Sequence, residues 1–260
     1  MATAVVTGAS SGIGRDIALM LAKRGYDIVL VSRDKAALQS VAKHIETKVT
    51  IAAADLSVRK NCYKLYEQTK NLDVEILVNN AGFGVFGEFA QTPLDKTLNM
   101  LDLNVGALHT LTRLYLDDMR RKNKGFILNV ASLAAFGSGP LLAAYYASKA
   151  YVYRLSTAIA QELRAEGSNV HISVLCPGPV ATKFNDRAGV EFSIPPMTSR
   201  RVAACALKGM FRGKEVIIPG FTNKLAALGM KFAPLDMLMN ICYKIQHKKL
   251  KNKGNTDQKG

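Results

Sequence analysis

Thr7-Gly8-Ala9-Ser10-Ser11-Gly12-Ile13-Gly14 follows a short β-branched run at residues 3–6 and leads into a helix-like segment at residues 12–24. Glycines spaced G-x-x-x-G-x-G permit a tight turn and a close backbone approach to a bound group. A helix starting inside the motif offers free N–H groups and a partial positive charge, which suit a pyrophosphate. A glycine-rich turn alone is a weak signal. Its position between the first strand and the first helix of a βαβ unit makes it a nucleotide-site signature.

Outward from this turn, strand-like runs alternate with helix-like segments. Residues 28–31 are followed by 35–45, 49–53 by 58–70, 76–78 by a long periodic stretch at 98–121, and 126–130 by 141–166, which ends at Gly167. Residues 171–175 and 216–218 read as the last two strands. Such alternation is the rhythm of parallel strands joined by helical crossovers. Right-handed crossovers put helices on both faces, so the expected fold is α/β, a doubly wound, mostly parallel, Rossmann-like sheet. Its ligand belongs at the carboxyl ends of the strands. The expected organisation is a catalytic domain over residues 1–220, an apolar helical extension over 221–245 and a basic, disordered tail over 246–260. The main irregular stretch, residues 179–199, is long enough to serve as a lid.

Composition narrows the functional classes. With 260 residues, 48% hydrophobic and 21% charged, the chain has the balance of a folded single domain. Cys62, Cys176, Cys205 and Cys242 show neither metal-ligand spacing nor a disulfide pattern. No metal is therefore expected, and a reducing cytoplasm is the expected location. The first residues run straight into a strand without the features of a secretory signal. The apolar stretch 225–243 is interrupted by Lys231, Pro234, Asp236 and Asn240, too often for a spanning helix. Of the net charge of +15, part is local: from Lys244 onward six lysines face one aspartate. No nucleic-acid motif or aromatic interleaving accompanies the charge, so nucleic acid is not expected as a partner. For the C-terminal segment three readings stay open: packing over the pocket, contact with another subunit, and peripheral contact with an anionic membrane.

Four further motifs occur in order. Asn79-Asn80-Ala81-Gly82 ends the fourth strand, Ser132 lies 13 positions before Tyr145, Tyr145 and Lys149 are four apart, and Pro177-Gly178 follows the sixth strand. Together with the glycine turn, this set resembles the short-chain dehydrogenase/reductase family over most of residues 1–220. The resemblance implies a nicotinamide dinucleotide bordered by Gly8, Ser10, Ser11, Gly12, Ile13, Gly14, Asp55, Leu56, Asn80, Ala81, Gly82, Tyr145, Lys149, Pro177, Gly178, Val180 and Thr182. It also implies that Tyr145 moves a proton, Lys149 bonds the nicotinamide ribose, Ser132 holds the substrate oxygen and Asn104 supports a water chain to the lysine. A homo-oligomer is expected on the same ground.

The residues themselves refine this. At the end of the second strand, where NAD-binding relatives place a carboxylate, stand Ser32 and Arg33. A carboxylate repels a 2′-phosphate and a guanidinium pairs with it, so NADP(H) is the expected cofactor. The alternative is that Arg33 points to solvent and Asp34 caps the next helix. Residues four apart in a helix share a face, so the Lys149 ammonium is expected to lower the Tyr145 pKa. Tyr146, three residues from Lys149, is a competing candidate that the family spacing rejects. Phe83, Val85, Phe86, Phe136, Leu141, Leu142, Phe192 and Ile194 collect around the expected substrate end and suit an apolar carbonyl or alcohol. They equally suit packing. The expected function is an NADP(H)-dependent oxidoreductase interconverting a carbonyl and an alcohol. The alternative is a dinucleotide-binding regulatory protein on the same fold.

Overall fold

The computed structural model describes residues 1–181 and 196–257. The strands are β1 (Thr3–Thr7), β2 (Asp27–Ser32), β3 (Val49–Ala53), β4 (Val74–Asn79), β5 (Gly125–Val130), β6 (Val170–Leu175), β7 (Val180–Ala181), β8 (Met197–Thr198) and β9 (Val216–Ile217). The helices are α1 (Gly12–Ala22), α2 (Lys35–Ala42), α3 (Arg59–Thr69), α4 (Leu94–Leu101), α5 (Leu108–Lys122), α6 (Ala143–Ala165), α7 (Ser199–Met210), α8 (Phe221–Phe232) and α9 (Leu235–Asp257). Seven strands form one parallel sheet in the order β3-β2-β1-β4-β5-β6-β9, and β7 pairs with β8 beside it.

Both faces of the sheet are covered, which is why its strands read as continuous apolar runs. Successive side chains point to opposite faces. Ala4 and Val6 of β1 pack with Ile17 and Leu21 of α1 and with Val202, Ala206 and Met210 of α7. Val5, between them, joins Val29, Leu77 and Ile127 on the other face under Leu65 of α3, Leu111 and Tyr115 of α5 and Leu163 of α6. From β1 the chain winds to β2 and β3 on one side and then returns to β4, β5 and β6 on the other. The strand order therefore reverses between β1 and β4, and their carboxyl ends flank the crevice where such sheets bind ligands.

Residues 98–121 form no single helix: α4 passes through a π-helical turn, Asp102–Ala107, into α5. Periodicity does not register the extra backbone residue of a π turn, which shifts the face of everything after it. The helix α9 continues to Asp257, into the lysine-rich stretch. Its lysines, glutamine and leucine are good helix formers, and no proline interrupts residues 235–257. Within the expected lid, residues 182–195, including Thr182, Phe192 and Ile194, lie outside the described residues.

Candidate active site

The glycine turn and the Asn-Asn-Ala-Gly segment are fastened across the crevice. Thr7 Oγ1 donates to the Val78 carbonyl at 3.2 Å and accepts from the backbone N–H groups of Asn80 at 2.9 Å and Ala81 at 3.0 Å. Asn80 Nδ2 returns two bonds, to the carbonyls of Thr7 at 3.0 Å and Gly8 at 3.2 Å. Gly8 has φ +65°, and a Cβ there would lie 2.7 Å from Asn80 Nδ2. At Gly14 a Cβ would lie 2.5 Å from the Gly8 carbonyl oxygen, so α1 can press against the turn only without one. Ser11 caps α1 without a side-chain bond, and the first turn holds no acidic residue. Gly12, Ile13 and Gly14 thus open a helix N-terminus suited to an anion, with Ser10 and Ser11 at its rim.

Arg33, Asp55 and Leu56 follow β2 and β3 at the same end of the sheet. The Arg33 side chain is 56% exposed, with its guanidinium 3.7 Å from an Asp55 carboxylate oxygen. Asp34 caps α2, accepting from the Ala37 N–H at 2.9 Å. Asp55 accepts from the N–H and hydroxyl of Ser57 at 3.0 and 2.7 Å, which fixes its carboxylate beside the guanidinium. Leu56 is buried.

Ser132 lies two residues beyond β5 and caps the short 3₁₀ turn Leu133–Phe136, and Tyr145 and Lys149 lie on α6. The Tyr145 hydroxyl lies beside the Ser132 side chain, whose oxygen accepts from the Ala134 N–H at 3.2 Å. Lys149 is 5% exposed, and its Nζ donates to the Val130 carbonyl at 2.9 Å. That Nζ lies 5.8 Å from the Tyr145 ring centroid and 3.6 Å from where a Cβ on Gly82 would sit. Burial lowers the Lys149 pKa from 10.5 to about 8. Burial likewise pushes the Tyr145 hydroxyl up to about 12, against a smaller opposite effect of the Ser132 side chain. The expected lowering of the tyrosine pKa is therefore reversed. The ammonium is turned to the Val130 carbonyl, and desolvation of the phenolate dominates.

Asn104 sits in the π-helical turn, buried, and clasps the backbone after β4. Its Oδ1 accepts from the Phe83 N–H at 3.1 Å, and its Nδ2 donates to the Phe83 carbonyl at 2.9 Å and to Ser148 Oγ at 3.2 Å. Ser148 donates in turn to the Tyr145 carbonyl at 2.7 Å. Ser148 is a connection that motif reading missed, although its place between Tyr145 and Lys149 could have marked it. Behind these groups, Asn79 Nδ2 bonds Asn129 Oδ1 at 2.9 Å and Thr112 Oγ1 at 3.0 Å, and Asn129 Nδ2 bonds Ser156 Oγ at 3.0 Å. This buried polar ladder fixes the ends of β4 and β5 against α5 and α6.

At the substrate end the apolar candidates divide. Phe136 stacks edge-on against Tyr153, with centroids 4.9 Å apart, and belongs to packing. Leu141 is buried at φ 65°, a costly conformation for a non-glycine residue. Its carbonyl accepts from the Gly87 N–H at 2.9 Å and ties the loop before α6 to the loop after β4. Gly178 follows β6, and a Cβ on it would lie 2.5 Å from Asn223 Oδ1 of α8. Val180, buried in β7, pairs with Met197 of β8. Asn223 lies 45 residues beyond Gly178 with no motif around it, so sequence alone carried no signal for this contact.

Residues 2–191 match the short chain dehydrogenase family. The chain is 35% identical to a very-long-chain 3-oxoacyl-CoA reductase of Anas platyrhynchos over 256 residues, covering 94% of this chain and 79% of that protein. It is 37% identical to the 17-beta-hydroxysteroid dehydrogenase type 3 of Mus musculus over 186 residues, 69% of this chain and 60% of that one. Among solved structures, a short-chain dehydrogenase from Sphingobium yanoikuyae in complex with NADPH superposes with a TM-score of 0.80 at 30% identity, covering 88% and 92% of the two chains. Another, from Burkholderia phymatum in complex with NAD, gives 0.79 at 25% identity over 87% and 91%. Family match, sheet order and crevice agree: the chain belongs to the short-chain dehydrogenase family and is an oxidoreductase.

Proposed function

We propose that this protein reduces a ketone on a long apolar substrate, of the 3-oxoacyl thioester class, with NADPH as hydride donor. The observation that carries this reading is the neighbouring Ser132 and Tyr145 beside the buried Lys149 at the switch crevice. The cofactor preference rests on Arg33, a cation standing where a ribose-binding carboxylate would repel a 2′-phosphate. The substrate class rests on the relatives named 3-oxoacyl-CoA reductases.

The glycine cradle and the open N-terminus of α1 fit a pyrophosphate, and Arg33, more than half exposed beside Asp55, could turn to a 2′-phosphate. When bound, the nicotinamide would supply the hydride that reduces the carbonyl carbon. Ser132 would hold the carbonyl oxygen and Tyr145 would donate the proton to it as negative charge develops there. A tyrosine pushed up to about 12 keeps that proton throughout the neutral range, as the reductive direction requires. Lys149 remains an ammonium below about pH 8 and would stabilise the phenolate left behind. Asn104 and Ser148 hold the backbone of Phe83 and Tyr145, keeping the two sides of the site in register.

The test is NADPH oxidation, followed optically with 3-oxoacyl-CoA substrates of increasing chain length and with a bulky cyclic ketone. Turnover with NADPH that rises with chain length supports the proposal. Turnover confined to the cyclic ketone removes the substrate class. Cofactor binding without turnover on any ketone favours the regulatory alternative.

A further inference from the structure

The helix α8 is amphipathic in the reverse sense. Phe221, Leu225, Leu228 and Phe232 recur at i, i+4, i+7 and i+11 and form one stripe along the helix. Each is exposed, at 80%, 61%, 53% and 81%. The opposite stripe, Asn223, Ala227 and Met230, faces the domain. Ala227 is buried, Asn223 lies against Gly178, and the Met230 sulfur is 3.6 Å from where a Cβ on Gly137 would sit. Asn223, Ala227 and Met230 thus make the intramolecular contact, and the four largest apolar side chains of the helix are left outside. Leu235, Met237 and Ile241 of α9 are exposed as well.

We propose that this face docks on an anionic lipid surface, lying in the headgroup region with Lys224 and Lys244 against phosphates. Charge selects this occupant over a second copy of the chain. Residues 221–257 carry seven lysines against two aspartates, and Lys224 and Lys244 are exposed. A two-fold contact through the stripe would set two such helices against each other with like charge. An anionic bilayer offers both an apolar layer and opposite charge. Among the described residues no helix is long and apolar enough to cross a membrane, so the mode is lying on the surface. The inner face of α8 packs on the turn that follows Ser132. Docking therefore sets the catalytic end of the sheet toward the bilayer, where a lipid-derived carbonyl would be taken up.

The full chain is to be sedimented with vesicles of phosphatidylcholine alone and of phosphatidylcholine with phosphatidylserine, at low and high salt. A parallel variant carries Leu225→Gln, Leu228→Gln and Phe232→Gln, with NADPH binding and thermal unfolding as controls for an intact domain. Expected is binding to the anionic vesicles at low salt, weakened by salt, and reduced by about tenfold or more in the variant. Parent protein left in the supernatant with anionic vesicles at low salt overturns the proposal. So does equal binding by parent and variant, which would assign the contact to the lysines alone. Self-association of the parent that the variant abolishes, without vesicle binding, overturns it in favour of a second copy.

Discussion

Replacing Lys149 with methionine should stabilise the fold while abolishing turnover. The ammonium is 5% exposed, and burial brings its pKa from 10.5 to about 8. A difference of that size corresponds to roughly 3 kcal/mol by which the native state disfavours the charged form. Methionine fills a similar volume without charge but leaves the Val130 carbonyl without its 2.9 Å donor, a loss of about 1 kcal/mol. The variant should therefore gain about 2 kcal/mol at pH 7, or roughly 4–8 °C in Tm for a domain of this size. The sign is fixed by linkage. Between about pH 8 and 10.5 the unfolded lysine holds a proton that the folded one has released, so the parent gains stability as pH rises and the gap narrows. Below about pH 8 the gap is full. Urea or thermal unfolding of both proteins at pH 7 and pH 10 measures it, and titrations common to both cancel in the difference. A variant no more stable than the parent at pH 7, or a gap unchanged at pH 10, would refute the claim that Lys149 is held at a cost.

Arg33→Ala should raise the KM for NADPH by about tenfold or more and leave that for NADH nearly unchanged, because only NADPH carries the 2′-phosphate; equal losses would make Arg33 structural, through Asp55. Carbonyl reduction should hold through neutral pH and decline above about pH 8, where Lys149 loses its proton. A profile flat to pH 10 would remove the lysine from the proton chemistry. Asn104→Ala should destabilise the domain by about 1–3 kcal/mol in urea unfolding, since it frees the Phe83 N–H and carbonyl and the Ser148 hydroxyl in a buried setting. Unchanged stability would mean that the π-helical turn stands without the asparagine.

How far the sequence reveals this molecule depends on how local the determining physics is. The glycine turn, the apolar strands and the Tyr145–Lys149 spacing are set by neighbours in the chain, and the structure shows them at the expected places. The π-helical turn was hidden because Asp102–Ala107 has ordinary helical composition, and what holds its Asn104 is a backbone 21 residues away. The direction of the Tyr145 pKa shift was misread for a related reason. Sequence spacing gives the distance to Lys149, but not the burial that outweighs it or the Val130 carbonyl that holds the ammonium. The Asn223–Gly178 contact joins segments with no shared pattern. The inverted face of α8 was legible as a periodicity, yet only the fold shows which side of that helix is turned outward.

The central claim is that Tyr145 delivers the proton in an NADPH-dependent ketone reduction. It is tested most directly by comparing Tyr145→Phe with Tyr146→Phe in steady-state reduction of a 3-oxoacyl-CoA, with NADPH binding measured separately. Both variants keep a half-buried aromatic ring, and only the first removes the hydroxyl beside Ser132. The account predicts that Tyr145→Phe binds NADPH normally and loses roughly 10²–10⁴ in kcat, while Tyr146→Phe changes kcat by less than about threefold. Comparable losses in the two variants, or full activity in Tyr145→Phe, would contradict it.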